Sequence, residues 1–573
     1  MWMNYQAAAA RMAPRRLRQS LKLCKIAGYG RKEKPSADSC TIGLNGFQPF
    51  INTRQKRGIN MRESGILYPI SSLPSRYGIG CLSKEAYEFV DFLSDAGQSY
   101  WQILPIGPTG FGDSPYQSFS TFAGNPYFIC LETLAKEGLL TEAECAQFDF
   151  GSNPERVDYG ALYNSRFKAL RIAYERFTEQ GGQDQKEYQA FLEENGYWLK
   201  DFALFRAIKN SRDGQDWTNW DADLRSRKKE ALEAARGELQ DEILFFYFQQ
   251  YEFNRQWQAL HAYAAEKKVK IIGDIPLYVA LDSADAWAHQ EQFQMGADHR
   301  PVDVAGTPPD AFSATGQRWG NPIYDWDYMK KDGFSWWISR IRRNLEFYDV
   351  IRIDHFNGLD SYYAIPFADE TAENGKLRKG PGIALFQAIK KEMGDIRINA
   401  EDLGNLTGSI RALLKASGFP GMKVLQFAFD GSESSEYLTH RHIQNCVVYT
   451  GTHDNMTTRG WIESINDHDR DFARRYINSI FTDYGQFTWD FIREAFRSPA
   501  DLCIVPIQDF LVKGNEARLN NPGTLGENWQ WRVTPNLLSQ ELCRAIHDMT
   551  KLYGRLPKEE PEKEPEEEAA QTD

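Results

Sequence analysis

Apolar and polar positions change period along this chain in a regular way. Eight short apolar runs read as buried strands: GILYPIS (65–71), YWQILPI (100–106), KIIGDIPLYV (270–279), YDVIRIDHF (348–356), RINAEDLG (397–404), MKVLQFAF (422–429), CVVYTGTHD (446–454) and LCIVPIQDF (502–510). Most are separated by stretches with helical spacing, such as SKEAYEFVDFLSDAG (83–97) and GSIRALLKASG (408–418), each ending on glycine. Strand and helix in repeated alternation predict an α/β fold, a (β/α)8 TIM barrel. Two connections are long, 107–269 and 280–347. They predict a helical insertion subdomain over about 131–265 and active-site loops over about 280–345, because long insertions in barrels gather around the active face.

Three carboxylates stand where apolar runs give way to loops: Asp354, Glu401 and Asp454. Asp274 ends a fourth run. In such barrels the C-terminal strand ends form the active face, so these residues are expected to converge with Arg352 and His453. Paired carboxylates flanking a glycosidic bond support a retaining displacement, one attacking the anomeric carbon and the other carrying a proton. Arg352 precedes Asp354 by two, on the same strand face, and favours its ionised form. Glu401 has Asp402 and other acids nearby, which favours its protonated form. Asp354 is therefore expected as nucleophile and Glu401 as acid/base. Asp454, with His453 as a hydroxyl donor, is left to hold sugar hydroxyls and developing positive charge. Spacing alone leaves the exchange of roles open.

Charge sharpens the picture. The net charge is −12, with twelve Lys/Arg against Glu33 and Asp38 in residues 1–60 and eight acids against Lys558 and Lys563 in 557–573. The body between is thus about −16, which disfavours nucleic-acid binding and suits a neutral substrate handled by carboxylates. Residues 1–60 read as a basic extension: a transit peptide, a disordered tail or, the favoured reading, sequence ahead of a native start at Met61. The Glu/Pro/Lys run 557–573 is expected to be disordered. Eight scattered cysteines without C-x-x-C point to free thiols, as for Cys446 and Cys503 inside apolar runs, and to a cytoplasmic location. No run is long enough to span a membrane. A rival metal centre would use His355 and His453 with Asp354 and Asp454, but no H-E-x-x-H pattern accompanies them, and no metal is expected. His440 and His442 lie in a polar stretch and are expected at the surface. Neither a Walker A motif nor G-x-G-x-x-G after a strand occurs, so no cofactor is expected. With 15 Trp and 27 Tyr, flat rings are available as sugar platforms or as core.

The strings SLPSRYGIG (72–80), GPTGFGDSPYQSFSTFAGNPYFI (107–129), GDIPLYV (273–279), VAGTPPDAFSATGQRWGNPIYDW (304–326), RIDHFNGL (352–359), AEDLG (400–404), GTHDN (451–455) and NPGTLGENWQWR (521–532) resemble the 4-α-glucanotransferases, the amylomaltase or disproportionating-enzyme family related to the α-amylases. The resemblance covers about 64–556. It implies retaining transfer of an α-1,4-glucan segment to the 4-hydroxyl of glucose or another glucan, with maltooligosaccharides as partners. By motif match Asp354 is the nucleophile, Glu401 the acid/base and Asp454 the transition-state stabiliser, with Arg352 and His453 contacting substrate. Gln317, Trp319 and Asn321 match an acceptor-side loop, and Tyr116 and Asp274 match donor-side contacts. Within the loop 312–326, Trp319 is expected to stack on the acceptor and keep water out, while Trp326 serves either function or packing. An α-1,4-glucan hydrolase and a barrel that only binds glucan are the alternatives.

Overall fold

The structure is a computed structural model that describes residues 62–558, apart from 111, 310–312, 405, 433, 481 and 482. The basic extension, Met61, Cys24, Cys40, nearly all of the acidic tail, and Phe312 in the acceptor loop lie outside the described residues.

Eight parallel strands form one sheet, as the alternation of apolar runs predicts: β1 Glu63–Leu67, β2 Tyr100–Gln102, β3 Lys270–Ile275, β4 Val350–Ile353, β5 Ile398–Ala400, β6 Gly421–Val424, β7 Cys446–Tyr449 and β8 Leu502–Pro506. Each lies beside its neighbour in chain order. β8 returns to β1 in register, Glu63 opposite Leu502 and Leu67 opposite Pro506. β5 and β6 form no ladder. There the Ala400 N–H donates to the Pro420 carbonyl at 2.9 Å, and the Asp402 carboxylate accepts from the Met422 N–H at 2.6 Å. This is the (β/α)8 barrel, and its strands are almost wholly buried, as parallel strands covered by helices must be.

The helix Lys84–Asp95 covers β1 and β2 with Phe89, Val90 and Leu93, and Gly97 at φ 66° ends it in the left-handed cap. Helices Ser335–Phe347, Ile383–Met393 and Gly408–Ser417 follow β3, β4 and β5. Between β6 and β7 only 3-10 turns occur among the described residues, so one unit lacks its helix. MKVLQFAF is strand only to Val424, and Leu425–Ala428 turn as a 3-10 helix.

The stretch between β2 and β3 is dominated by three long helices, Tyr159–Glu179, Lys186–Ser211 and Gln240–Glu266, joined by aromatic contacts such as Phe177 against Phe248 at 5.1 Å. A second sheet, four-stranded and antiparallel, is made by Asp303–Thr307, Gln317–Pro322, Ser361–Pro366 and Lys376–Lys379. It draws two strands from the connection after β3 and two from the connection after β4.

Two arginines tie the start of the barrel to its last helix. Arg62 donates to the carbonyls of Tyr553, Phe496 and Ser498, and Arg555 donates to those of Glu63, Phe496 and Ser498.

Candidate active site

Gly273 precedes Asp274 at the end of β3. A Cβ there would lie 2.1 Å from the Tyr348 ring, so only glycine lets that ring pack beneath the strand end. Asp274 and Arg352 face each other across β3 and β4, whose register pairs them directly. Arg352 Nη1 reaches Asp274 Oδ2 at 2.6 Å and Asp354 Oδ1 at 2.9 Å. Tyr116, from the loop after β2, donates its hydroxyl to the same Asp274 oxygen at 2.8 Å. Burial works against the Arg352 charge, but Asp274 and Asp354 outweigh it and the guanidinium stays protonated. Asp354 is held toward the cleft by that cation, with its carboxylate 28% exposed.

The ladder runs one step beyond the strands: Asp354 N–H donates to Ile275 O and Glu401 N–H to Ile353 O, each at 3.0 Å. His355 then turns into the left-handed region at φ 53°. That turn is costly for a residue with a Cβ, and here it aims the His355 N–H at Glu401 Oε2, 2.7 Å away. Leu403 N–H takes the other Glu401 oxygen at 2.8 Å. Burial pushes the Glu401 carboxyl up and the Asp354 charge adds to it. Arg352 and the two backbone donors pull back, leaving it at about 7. Asp402 is not the source of this shift. Its carboxylate faces β6, bonded to Met422 N–H and packed against Gly421.

Asp454 sits in the loop after β7, five residues beyond Tyr449 rather than at the strand end. Its carboxylate is 45% exposed to the cleft. Burial on its protein side raises its pKa, but His453 at 3.2 Å, Asn520 at 2.6 Å and Arg352 bring it down to about 2. His453 is in turn opposed by burial and favoured by Asp454, with a net rise. Two acids of one cleft are thus shifted in opposite directions, an arrangement suited to general acid chemistry beside a fixed negative charge.

The match to known proteins decides what this cleft belongs to. A family model described as 4-alpha-glucanotransferase matches residues 68–538. The 4-alpha-glucanotransferase of Clostridium butyricum is 47% identical over 488 residues, 85% of this chain and 99% of that protein. That of Thermus thermophilus is 45% identical over 501 residues, 86% and 99% of the two chains. An amylomaltase from Streptococcus agalactiae, solved in complex with acarbose, superposes with a TM-score of 0.84 at 39% identity, covering 87% of this chain and all (100%) of that one. The chain belongs to the 4-alpha-glucanotransferase family.

In this 4-alpha-glucanotransferase the acceptor-loop residues are placed differently from one another. Trp319 stands half-buried with its ring edge-on to His355, centroids 4.9 Å apart, and donates Nε1–H to Gln317 Oε1 at 3.1 Å. Asn321 is buried, and both ends of its amide are used within the protein, one to the Val279 carbonyl at 2.8 Å and one from Gln117 at 3.3 Å. It pins the Gln317–Pro322 strand to the loop after β3. Trp326 is buried against Tyr324 and Trp337 and is a packing residue. His440 is exposed, but His442 is buried, bonded to Ser498 Oγ at 2.8 Å and the Tyr437 carbonyl at 2.9 Å. The expectation of a surface residue is corrected there. The strand cysteines Cys446 and Cys503 are buried and free. Among the described residues no three His, Cys, Asp or Glu are grouped to hold a metal ion.

Three residues of the site escape reasoning from strand ends. Asn520 donates its amide to Asp454 Oδ1 and its backbone N–H to the His453 carbonyl, Arg518 donates to the Asp454 carbonyl at 2.7 Å, and Trp529 lies within 6 Å of the Tyr116 and His453 rings. Only the NPGTLGENWQWR string pointed to that region. Tyr116 stacks on His453 at 5.1 Å, so three rings floor this side of the cleft.

Asp509, buried after β8, anchors the loop that carries His453 and Asp454. It accepts from the hydroxyls of Thr450 and Thr458, each at 2.6 Å, and from the Thr458 N–H at 2.7 Å. Asp509→Ala leaves three buried donors without an acceptor. It is expected to lower the unfolding free energy by about 3 kcal/mol, checked by urea denaturation; a change under about 1 kcal/mol would show the anchor to be dispensable.

Proposed function

We propose that this 4-alpha-glucanotransferase works by retaining double displacement on α-1,4-glucans. Asp354 attacks the anomeric carbon of the donor, forming a glycosyl ester as the bond to the departing 4-oxygen breaks. Glu401 gives its proton to that oxygen. The acceptor, glucose or another glucan chain, then presents its 4-hydroxyl, Glu401 takes that proton, and the new C–O bond releases Asp354. Asp454 and His453 hold hydroxyls of the reacting sugar, and the Asp454 charge stabilises the oxocarbenium-like transition state. Arg352, 2.9 Å from Asp354, sets a positive charge where the carboxylate's charge is lost on attack and returns on release. Tyr116 and Asp274 support the donor side, and Trp319 and Gln317 receive the acceptor, Trp319 offering a flat face that favours a sugar over water.

The observation that carries this reading is the Glu401 carboxyl at about 7 beside an Asp354 paired to Arg352 at 2.9 Å. A carboxyl pushed toward its protonated form and a carboxylate beside a fixed cation thus share one cleft. No helix among the described residues is long and apolar enough to cross a membrane, and free thiols fit the reducing cytoplasm. Incubated with maltotriose, the enzyme is expected to yield glucose and a ladder of longer oligosaccharides. A chromatogram holding glucose and maltose alone would instead identify a hydrolase.

A further inference from the structure

A second cleft lies outside the catalytic one, where the helix Lys186–Ser211 of the β2–β3 insertion meets the helix Ser335–Phe347 behind β4. It encloses about 330 Å3 and shares no residue with the site described above. That volume is at the lower end of the roughly 300–1,000 Å3 typical of small-molecule sites. Its inner wall is the loop 120–122, tied to Asp285 by the Thr121 N–H at 2.7 Å; the same loop begins at Tyr116 in the catalytic cleft.

The lining is unusual for a surface groove of an acidic protein. Tyr197 and Tyr328 stand at the rim with 53% and 40% of their surface exposed. Between them the floor is aromatic, Phe122 meeting Tyr197 edge-on at 6.1 Å and Trp336 at 6.0 Å. Asp201, Glu291 and Asp332 line the cleft, Asp201 paired to Arg227 at 2.8 Å, Glu291 3.7 Å from His289 and Asp332 accepting from Ser335, so that their charges are partly answered while lone pairs remain as acceptors. Two buried polar groups of the lining, Gln292 Oε1 and Trp336 Nε1–H, have no partner in the protein. Exposed tyrosines are tolerated singly at a surface. Two flanking an aromatic floor, ringed by carboxylates and with no lysine or arginine in the lining, form a site for a neutral ligand with flat C–H faces and many hydroxyls.

We propose that this cleft is an accessory binding site for α-1,4-glucan chains, which tethers a long donor while a distant segment occupies the catalytic cleft. The proposal rests on the glucan-transfer reading above. Stacking on tyrosine uses the apolar face of a glucosyl unit, and the rim carboxylates accept its hydroxyls. A chain long enough to reach both clefts binds the second in an intramolecular step, so the benefit is expected to grow with chain length and to be least for maltotriose.

The test is the double variant Tyr197→Ala/Tyr328→Ala in the full chain, with Tyr197→Phe/Tyr328→Phe as the ring-retaining control. Maltotriose disproportionation is expected to stay unchanged, while KM for amylose rises roughly tenfold in the alanine variant and stays near wild type in the phenylalanine one. An unchanged amylose KM overturns the proposal, and so does an equal loss on maltotriose and amylose. Retardation in amylopectin-containing native gels, compared in an Asp354→Asn background with and without the tyrosine changes, reads binding without turnover. The tyrosine changes are expected to weaken retardation, and equal mobility of the two proteins overturns the proposal. If the wild-type protein fails to transfer on maltotriose, the catalytic reading falls, and the gel comparison still decides the accessory site.

Discussion

Asp354→Asn is expected to leave a folded protein whose turnover of maltotriose is lower by roughly 10⁴-fold or more. The change is nearly isosteric and removes only the charge and the attacking oxygen. Arg352 keeps its 2.6 Å contact with Asp274, so no buried guanidinium is stranded. The carboxylate itself is partly open to the cleft, at 28% exposure, and its loss should shift stability by less than about 1 kcal/mol. Product chromatography alongside a thermal melt separates the two effects. Near-wild-type turnover in a correctly folded variant would remove Asp354 from the nucleophile's role.

Glu401→Gln should cost about 10²–10⁴-fold on maltotriose, because the departing 4-oxygen then leaves without a proton. A maltosyl fluoride donor distinguishes this from general damage. Fluoride needs no proton to leave, so the variant should release a burst of fluoride matching the enzyme concentration and then stall, lacking the base for the second step. Equal losses on both donors, with no burst, would exclude the assignment. The pH profile follows from the same group. With its carboxyl at about 7, the wild-type forward step should fall as pH rises through that value, and the variant's residual rate should be flat there. Stability moves in a defined direction as well. A carboxyl raised from 4.5 to about 7 binds its proton more tightly in the folded state. Folded and unfolded chains therefore bind equal protons below about 4.5. Stability falls as pH climbs to 7, and the penalty reaches up to about 3 kcal/mol above it. Glu401→Gln should thus melt higher than wild type at pH 8 and equally at pH 4.

The barrel was legible because parallel strands covered on both sides must be apolar at nearly every position, and such runs stand out. The convergence of Asp274, Asp354 and Glu401 followed, since each is within one residue of a strand end. Asp454 was legible as a member of the cluster but not in its placement: its loop is shaped by Thr450, Asn455 and Asp509, contacts invisible along the chain. The reason for the raised Glu401 pKa was legible in part: a neighbouring acid does contribute, but it is Asp354 rather than Asp402, and burial comes first. Adjacency in sequence made Asp402 look like its neighbour, yet successive side chains at a strand end point to opposite faces. The second sheet gave no signal because QRWGNP and KLRK are largely polar and mostly unburied, and the small apolar cluster of Val304, Tyr363, Ile365 and Ala372 joins strands far apart in the chain. Asn321 shows the limit of motif matching, since a residue beside the acceptor loop spends both polar groups on holding that loop in place.

The clasp of Arg62 and Arg555 has a topological consequence. Both guanidiniums grip the carbonyls of Phe496 and Ser498, just before β8, so the first strand and last helix are riveted to a common point. The barrel is therefore a ring whose ends already touch. Bridging residues 62 and 555 with a short linker and reopening the chain at a surface turn, such as Gln180–Gly181, should return a circular permutant with the same reacting cleft.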